Sequence, residues 1–179
     1  MLRIVGLGAG DLKLLTLEAY RILKEADEVY LRTKKHPIVN ELEQEEINFK
    51  SLDYIYNQSE VFSQVYEKIA DKILEEMNTK KDIVYAVPGH PLVAEDSVQK
   101  IINSLAEEEY QIVAGPSFLD TIFAALNLDP IQGFKVIDGL NFNSKDLDPS
   151  VDTIVSQVYN RNVASEIKLN LMEVYPDNF

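Results

Sequence analysis

The sequence predicts an α/β protein whose strands form a parallel sheet covered by helices on both faces. Strand-like runs alternate with helix-like stretches, joined by connections of a few residues, and that alternation is the signature of a parallel sheet. The run Ile83 to Val87 is apolar throughout, as a strand buried on both faces requires. The strands end in Gly, Pro or small polar residues, and open α/β sheets bind ligands beyond such ends.

Leu2 to Val5 is a short β-branched run that stops at Gly6. Thr16 is placed to cap a helix over Leu17 to Glu25, with Glu18 in its first turn and Leu17, Tyr20, Leu23 and Ala26 at helical spacing. Asp27 to Arg32 reads as a second strand. Pro37 opens a short helix running through Glu43, and Phe49 to Leu52 forms a further short strand. From Val61 to Met77 apolar residues recur every four positions through Val65, Ile69 and Ile73, widened by Phe62, Tyr66, Ala70 and Leu74, which defines a strongly amphipathic helix. The Ile83 to Val87 strand stops abruptly at Pro88-Gly89-His90-Pro91. A helix over Ala94 to Glu108, a strand over Gln111 to Ala114 and a helix over Phe118 to Leu126 follow, and Asp129-Pro130 closes that half. Strands are expected at Phe134 to Asp138 and Thr153 to Tyr159, on either side of the polar stretch Asn141 to Asp152, and a last helix runs from Asn162 to Val174. The domain boundary is expected near Gly115, which gives residues 1–114 and 115–179.

The 179 residues suit one large domain or two small ones. The formal net charge is −13, yet residues 1–39 carry 7 Lys+Arg against 5 Asp+Glu. A surface this acidic repels a phosphate backbone, and no zinc-finger, basic-zipper or aromatic RNA-platform pattern is present, so nucleic acid is not expected as a partner. Arg32, Lys34 and Lys35 form the one basic cluster, either an anion dock or a solvated loop. No apolar run approaches the roughly 18 residues of a membrane span, and the chain opens as a strand and not as a basic leader. The reading is therefore a soluble, cytoplasmic protein with no membrane partner. There is no cysteine, which removes disulfides, zinc knuckles and thiol nucleophiles.

Gly6-Leu7-Gly8-Ala9-Gly10-Asp11 invites a dinucleotide reading, but that fingerprint wants glycine where Asp11 stands and a helix that begins inside the motif. No phosphate loop of the Gly-x4-Gly-Lys-Ser/Thr type occurs. Pro88-Gly89-His90-Pro91 combines two stiffening prolines with a glycine that admits otherwise disfavoured backbone, so the turn is preorganised. Its histidine is a structural hydrogen-bonder or part of a site; with His36 the only other histidine, no metal is expected. Gly115-Pro116-Ser117 lacks the second glycine of a hydrolase nucleophile elbow. Glu25 with Glu28, and Glu43 with Glu46, have the spacing of metal-binding carboxylate pairs but fall at element ends.

Taken together, Val5-Gly-Leu-Gly-Ala-Gly-Asp11 followed by Leu15-Thr16, Val84-Tyr-Ala-Val-Pro-Gly-His-Pro91, Gly115-Pro-Ser117 and Ile154-Val-Ser-Gln-Val-Tyr159 resemble the tetrapyrrole (corrin/porphyrin) methylase family. The stretches Tyr85 to Glu95 and Ser117 to Pro130 are similar to the methylase-like N-terminal domain fused to a MazG-type nucleotide pyrophosphohydrolase. The resemblance implies two α/β subdomains with a cleft between them, the second one incomplete in a chain ending at Phe179, a homodimer, and S-adenosyl-L-methionine as cofactor. It places the cofactor against Pro88, Gly89, His90 and Leu92, with Ser117, Phe118, Val158 and Tyr159 from the second domain. Gly8 and Gly10 would line the acceptor trough, with Asp11 handling a proton or orienting the acceptor. Most family methylases carry Asp where His90 stands here. The expected activity is methyl transfer to an acceptor of tetrapyrrole type within a longer protein that carries a covalently linked MazG-type domain. The rival reading is a non-catalytic module that binds a metabolite and regulates the attached pyrophosphohydrolase.

Overall fold

In the computed structural model, which describes residues 1–57, 62–80 and 82–176, the first strand made is the one with neighbours on both sides. β1 (Leu2–Gly6) pairs with β4 (Ile83–Val87) and with β5 (Tyr110–Val113); β4 also pairs with β2 (Val29–Leu31), and β2 with β3 (Lys50–Ser51). Every pairing is parallel and the order is β3-β2-β4-β1-β5. The central register runs from Leu2 opposite Ile83 to Gly6 opposite Val87. These three strand ends therefore stop close together, with the loops that leave them side by side.

The period-two alternation of the strands divides the core into two clusters. Leu2, Ile4, Tyr30, Ile83, Tyr85 and Val87 face Val65, Ile69 and Ile73 of α4 (Phe62–Thr79) and Val98 and Ile101 of α5 (Asp96–Ile102). Val5, Val29, Leu31, Val84 and Ala86 face Ala19 and Leu23 of α1 (Leu17–Glu25) and Val39 and Leu42 of α2 (Val39–Gln44). The apolar rows seen in the sequence are the buried faces, although Val61 lies outside the described residues. Thr16 caps α1 as its position implies, accepting from Ala19 N at 3.1 Å. A single helical turn, α3 (Asp53–Tyr56), was not expected.

Several elements are shorter than their sequence patterns. α5 ends at Ile102 where a helix to Glu108 was expected, because Glu107–Glu109 tighten into a separate 3-10 turn that leads directly into β5. β2 covers Val29–Leu31 only, and Pro37 lies in the turn before α2 without opening it. The chain divides into units 1–126 and 127–179, so the division falls after α6 (Phe118–Leu126) and not near Gly115. The reason is steric: a Cβ on Gly115 would lie 2.7 Å from Gly6 O and 2.8 Å from Gly89 O. Gly115 thus belongs to the first sheet's loop cluster.

The outer edge of the first unit is held by an ion network. Lys80 Nζ lies 2.6 Å from Glu28 Oε1 and 3.4 Å from Glu76 Oε2, Lys50 Nζ lies 2.7 Å from Glu28 Oε2, and both lysines stand over the Tyr30 ring at 5.7 and 5.6 Å. Its Lys72 partner, then Tyr30 and Lys80, hold the Glu76 carboxyl down at about 2 from an ordinary 4.5. An acid whose folded pKa is depressed contributes stability above its unfolded pKa and loses it as pH falls through the folded one. Between pH 4.5 and about 2 the wild type should therefore lose urea stability more steeply than Glu76→Gln. Parallel slopes would show that the network contributes nothing.

The second unit contains β6 (Lys135–Asp138) and β7 (Thr153–Ser156), parallel and in register from Lys135 opposite Thr153 to Asp138 opposite Ser156. α7 (Arg161–Leu171) follows, capped by Asn160 Oδ1, which accepts from Asn162 N and Val163 N at 2.9 and 3.0 Å. β7 stops at Ser156, short of the expected Tyr159, where Gln157 takes a φ of 60° and turns the chain. Among the described residues no helix is long and apolar enough to cross a membrane.

Candidate functional site

Three loops leave the adjacent ends of β4, β1 and β5 and are pinned to one another by backbone. Leu7 N donates to Val87 O at 2.8 Å, Gly89 N to Gly8 O at 2.8 Å and Gly8 N to Gly89 O at 3.2 Å, the last two forming an isolated antiparallel bridge. A Cβ on Gly6 would sit 2.5 Å from Gly89 O and 2.7 Å from Gly115 N. The glycines are thus required by close approach as well as by turn geometry. Gly89 differs: its φ is +66°, and a Cβ there would find only Ser117 Cα, at 3.9 Å.

Beside this junction the first unit carries an open cavity of about 340 Å³, lined by Ala9, Arg32, His36, the Pro88–His90 turn, Glu95 and Phe118. The volume is at the low end of the roughly 300–1,000 Å³ typical of small-molecule pockets. His90 Nδ1 accepts from Leu92 N at 3.0 Å, which leaves Nε2 to carry the proton of the neutral ring. Burial pulls the His36 imidazole below its usual range, with Arg32 adding to this and a hydrogen bond to the Gly8 backbone opposing it.

The cavity floor is a buried ion pair that the sequence reading did not assemble. Arg32 Nε lies 3.0 Å from Glu95 Oε2, with the Glu95 side chain 5% and the Arg32 side chain 20% exposed. The approach is an ion pair whose angles do not make a hydrogen bond. Arg32 Nη1 donates to Tyr56 Oη at 2.8 Å. On the other side, Ser97 Oγ donates to Glu95 Oε1 at 2.8 Å, and Tyr85 Oη lies 2.7 Å from Ser97 Oγ. Burial pushes the Glu95 carboxyl above its ordinary range, against the opposing pull of Arg32 and Ser97. Burial works against the Arg32 charge, and Glu95 together with Tyr56, Tyr85 and Tyr66 more than restores it. The loop after β2 that delivers Arg32 and His36 is fixed by Asp53, which accepts from Thr33 Oγ1 and Lys34 N at 2.7 Å each. Glu95 alone carried a weak signal, an acid at the end of the Pro-Gly turn, obscured by its neighbour Asp96.

The expected site residues distribute as follows. Pro88, Gly89, His90 and Phe118 line the cavity. Ser117 stands beside Gly89 and caps α6: its Oγ accepts from Leu119 N at 3.1 Å, and Asp120 Oδ2 accepts from Ser117 N at 2.7 Å. Gly8 lies in the bridge to Gly89. Gly10 packs toward Leu14, and Asp11 caps the following turn by accepting from Lys13 N at 3.0 Å, with its carboxylate 46% exposed. Leu92 is 46% exposed and does not line the cavity. Val158 and Tyr159 belong to the second unit, just past β7, and are exposed. That unit also carries an open groove of about 730 Å³ between β7 and α7, lined by Val155, Leu171 and Tyr175 among others. Among the described residues no group of acids and histidines is arranged to hold a metal ion.

Across residues 1–179 the chain matches the family model of the Tetrapyrrole (Corrin/Porphyrin) Methylases. It belongs to that family. An uncharacterized protein of Bacillus subtilis (strain 168), YabN, is 45% identical over 178 residues, covering 98% of this chain and 36% of that one. A probable cobalt-precorrin-2 C(20)-methyltransferase of Methanocaldococcus jannaschii is 27% identical over 158 residues, covering 83% of this chain and 66% of that one. The chain spans about two fifths or less of the length of the first curated relatives it matches. Among solved structures, a uroporphyrin-III-C-methyltransferase from Thermus thermophilus superimposes with a TM-score of 0.67 at 19% identity, over 98% of this chain and 74% of that one. A Thermus thermophilus uroporphyrin-III C-methyltransferase complexed with S-adenosylhomocysteine gives a TM-score of 0.53 at 21% identity, over 77% of this chain and 58% of that one. The tetrapyrrole methylase family depends on S-adenosyl-L-methionine.

Proposed function

We propose that the chain is the methyltransferase part of a longer protein, using S-adenosyl-L-methionine as donor. The observation that carries this is the bare, left-handed Gly89 on the cavity, where a side chain has room. A sulfonium metabolite can approach backbone there as it cannot approach any residue with a Cβ. Pro88, Gly89, His90 and Leu92 would hold the donor, with Ser117 and Phe118 opposite. Val158 and Tyr159 are assigned the same role on the strength of the family resemblance. When bound, the donor supplies an electrophilic methyl group. The chain's own task is to hold an acceptor in line and remove at most one proton, for which no metal is needed.

Gly8, Gly10 and Asp11 are assigned to the acceptor side, with Asp11 orienting the acceptor. The family name points to a cyclic tetrapyrrole as that acceptor, and methyl-transfer assays on precorrin-type rings test the finer assignment directly. The longer protein is proposed to carry a MazG-type pyrophosphohydrolase, to act in the cytoplasm and to pair as a homodimer.

Calorimetry with S-adenosylhomocysteine is the first test, and absence of binding would end the methyltransferase reading. Asp11→Asn keeps the cap, because Asn is as good an N-cap as Asp. It should lower turnover while leaving donor affinity within about twofold, a difference of under 0.5 kcal/mol. Loss of donor binding would move Asp11 to the donor side. Tight donor binding without turnover on any acceptor would favour a regulatory module.

A further inference from the structure

The segment from Pro88 to Glu95, which carries the proposed donor contacts Pro88, Gly89, His90 and Leu92, is held at its two ends by unlike means. At its start the Gly8–Gly89 bridge ties it to the loop after β1. Within it His90 closes a short turn, its carbonyl accepting from Val93 N and its Nδ1 from Leu92 N, each at 3.0 Å. Near its end stands Ala94, with a φ of 54° that a residue with a Cβ rarely adopts. Glu95 follows as the N-cap of α5. A carboxylate there is favoured by the helix dipole with its charge at the surface, yet this one turns inward and is buried against Arg32.

Arg32 is itself immobilised. Its backbone N donates to Ala86 O of β4 at 3.0 Å, and its Nη1 donates to Tyr56 Oη of α3 at 2.8 Å. Glu95 Oε2 meets Arg32, and Glu95 Oε1 accepts from Ser97 Oγ, which is joined in turn to Tyr85 Oη of β4. Both carboxylate oxygens are thus engaged by groups anchored on or beside the sheet. Such a tether is directional. Apolar side chains of similar volume would supply comparable stability without fixing where Glu95 points. A backbone outlier such as Ala94 persists only where its surroundings over-determine it, and Glu95 is its immediate neighbour.

We propose that Arg32 and Glu95 are positioning residues for the methyl donor: through Glu95 they hold Ala94 left-handed, and with it the Pro88–Val93 backbone in the arrangement that receives the donor. The ligand touches neither charged group in this scheme. The identity of that ligand rests on the methyltransferase reading above, whereas the tether does not. Once released, Ala94 relaxes to negative φ and the fraction of molecules with a competent loop falls. Apparent affinity falls by the same fraction, and the strain of a left-handed alanine corresponds to a population ratio of about ten.

The test uses the whole chain with S-adenosylhomocysteine as probe. Arg32→Met with Glu95→Leu should melt close to the wild type yet bind the probe about tenfold more weakly in calorimetry. Adding Ala94→Gly to that double variant should recover about threefold or more, because glycine populates positive φ without strain. Ala94→Gly alone should leave affinity within about twofold. Hydrogen exchange should quicken over residues 90–94 of the double variant while β1 and β4 keep their protection. A purely structural pair would give neither this local quickening at matched Tm nor the glycine rescue. Should the double variant fail to fold, Arg32→Lys keeps a counter-charge for Glu95 but loses the planar fork that also reaches Tyr56, and it should show weaker binding with the same rescue. Wild-type affinity in a stable double variant, or no recovery with Ala94→Gly, would overturn the proposal. A wild type that does not bind S-adenosylhomocysteine would sink the donor reading, and unchanged exchange over residues 90–94 would sink the tether whatever the ligand.

Discussion

Gly89→Val is expected to remove measurable S-adenosylhomocysteine binding from a protein that still folds. Two costs that a glycine replacement usually confounds are separable at this position. At a φ of +66° a side chain incurs backbone strain of roughly 1–2 kcal/mol, which is tolerable in a domain whose stability is typically about 5–15 kcal/mol. Around the new Cβ the nearest atom is Ser117 Cα at 3.9 Å, so the Cβ is accommodated and the isopropyl group intrudes on the proposed donor site. Gly133 supplies the control, because its φ is +91° and nothing lies within 4 Å of a Cβ there. Gly133→Val should show a comparable loss of stability with donor affinity intact. If both variants bind S-adenosylhomocysteine like the wild type, the donor does not lie on Gly89.

Arg32→Ala is expected to be the most damaging single change to stability. It strands the Glu95 carboxylate, whose side chain is 5% exposed, without its counter-charge, and removal of one member of a buried pair costs about 3–5 kcal/mol. For a unit of this size that is a drop in Tm of about 10–20 °C. The double variant Arg32→Met with Glu95→Leu should recover much of the loss, since apolar replacement of both partners is often close to neutral. Differential scanning calorimetry of the three proteins decides the matter. Recovery in the double variant would show that the charged pair adds no stability beyond what apolar packing supplies. An Arg32→Ala protein as stable as the wild type would mean that the pair is not desolvated in solution.

Much of the first sheet was legible because its strands carry their burial in their own composition. Ile83 to Val87 has no polar residue to spare and became the strand with two buried faces. The four-residue repeat from Val65 to Met77 could only be a helix with one wet side. Boundaries were less legible where a pattern continued past a break in hydrogen bonding, as at Ile102, where apolar spacing runs on while the chain tightens into Glu107–Glu109. A domain boundary was expected near Gly115; what the sequence does not display is that its missing Cβ makes room for Gly6 O.

The cavity was half visible. Pro88-Gly89-His90 announced itself by local stiffness, a property of adjacent residues. Arg32 and Glu95 are 63 positions apart and meet only because β2 and β4 are neighbours. Read singly, Arg32 was one of three basic residues in a loop and Glu95 one acid among 30 Asp+Glu. Their partnership is a property of strand order, which no local pattern encodes. Asp11 shows the converse, since its acid beside a glycine-rich turn suggests chemistry, and in the fold that carboxylate caps the next turn.

The strand order has a further consequence at the ribosome. β1 is synthesised first, but it pairs only with β4 and β5, and the partner of Leu2 in β4 is Ile83. At about 5–20 residues per second this leaves the β4-facing edge of β1 unpaired for roughly 4–16 s of translation. A synonymous codon change that alters elongation between residues 7 and 82 should therefore change soluble yield without altering the finished protein.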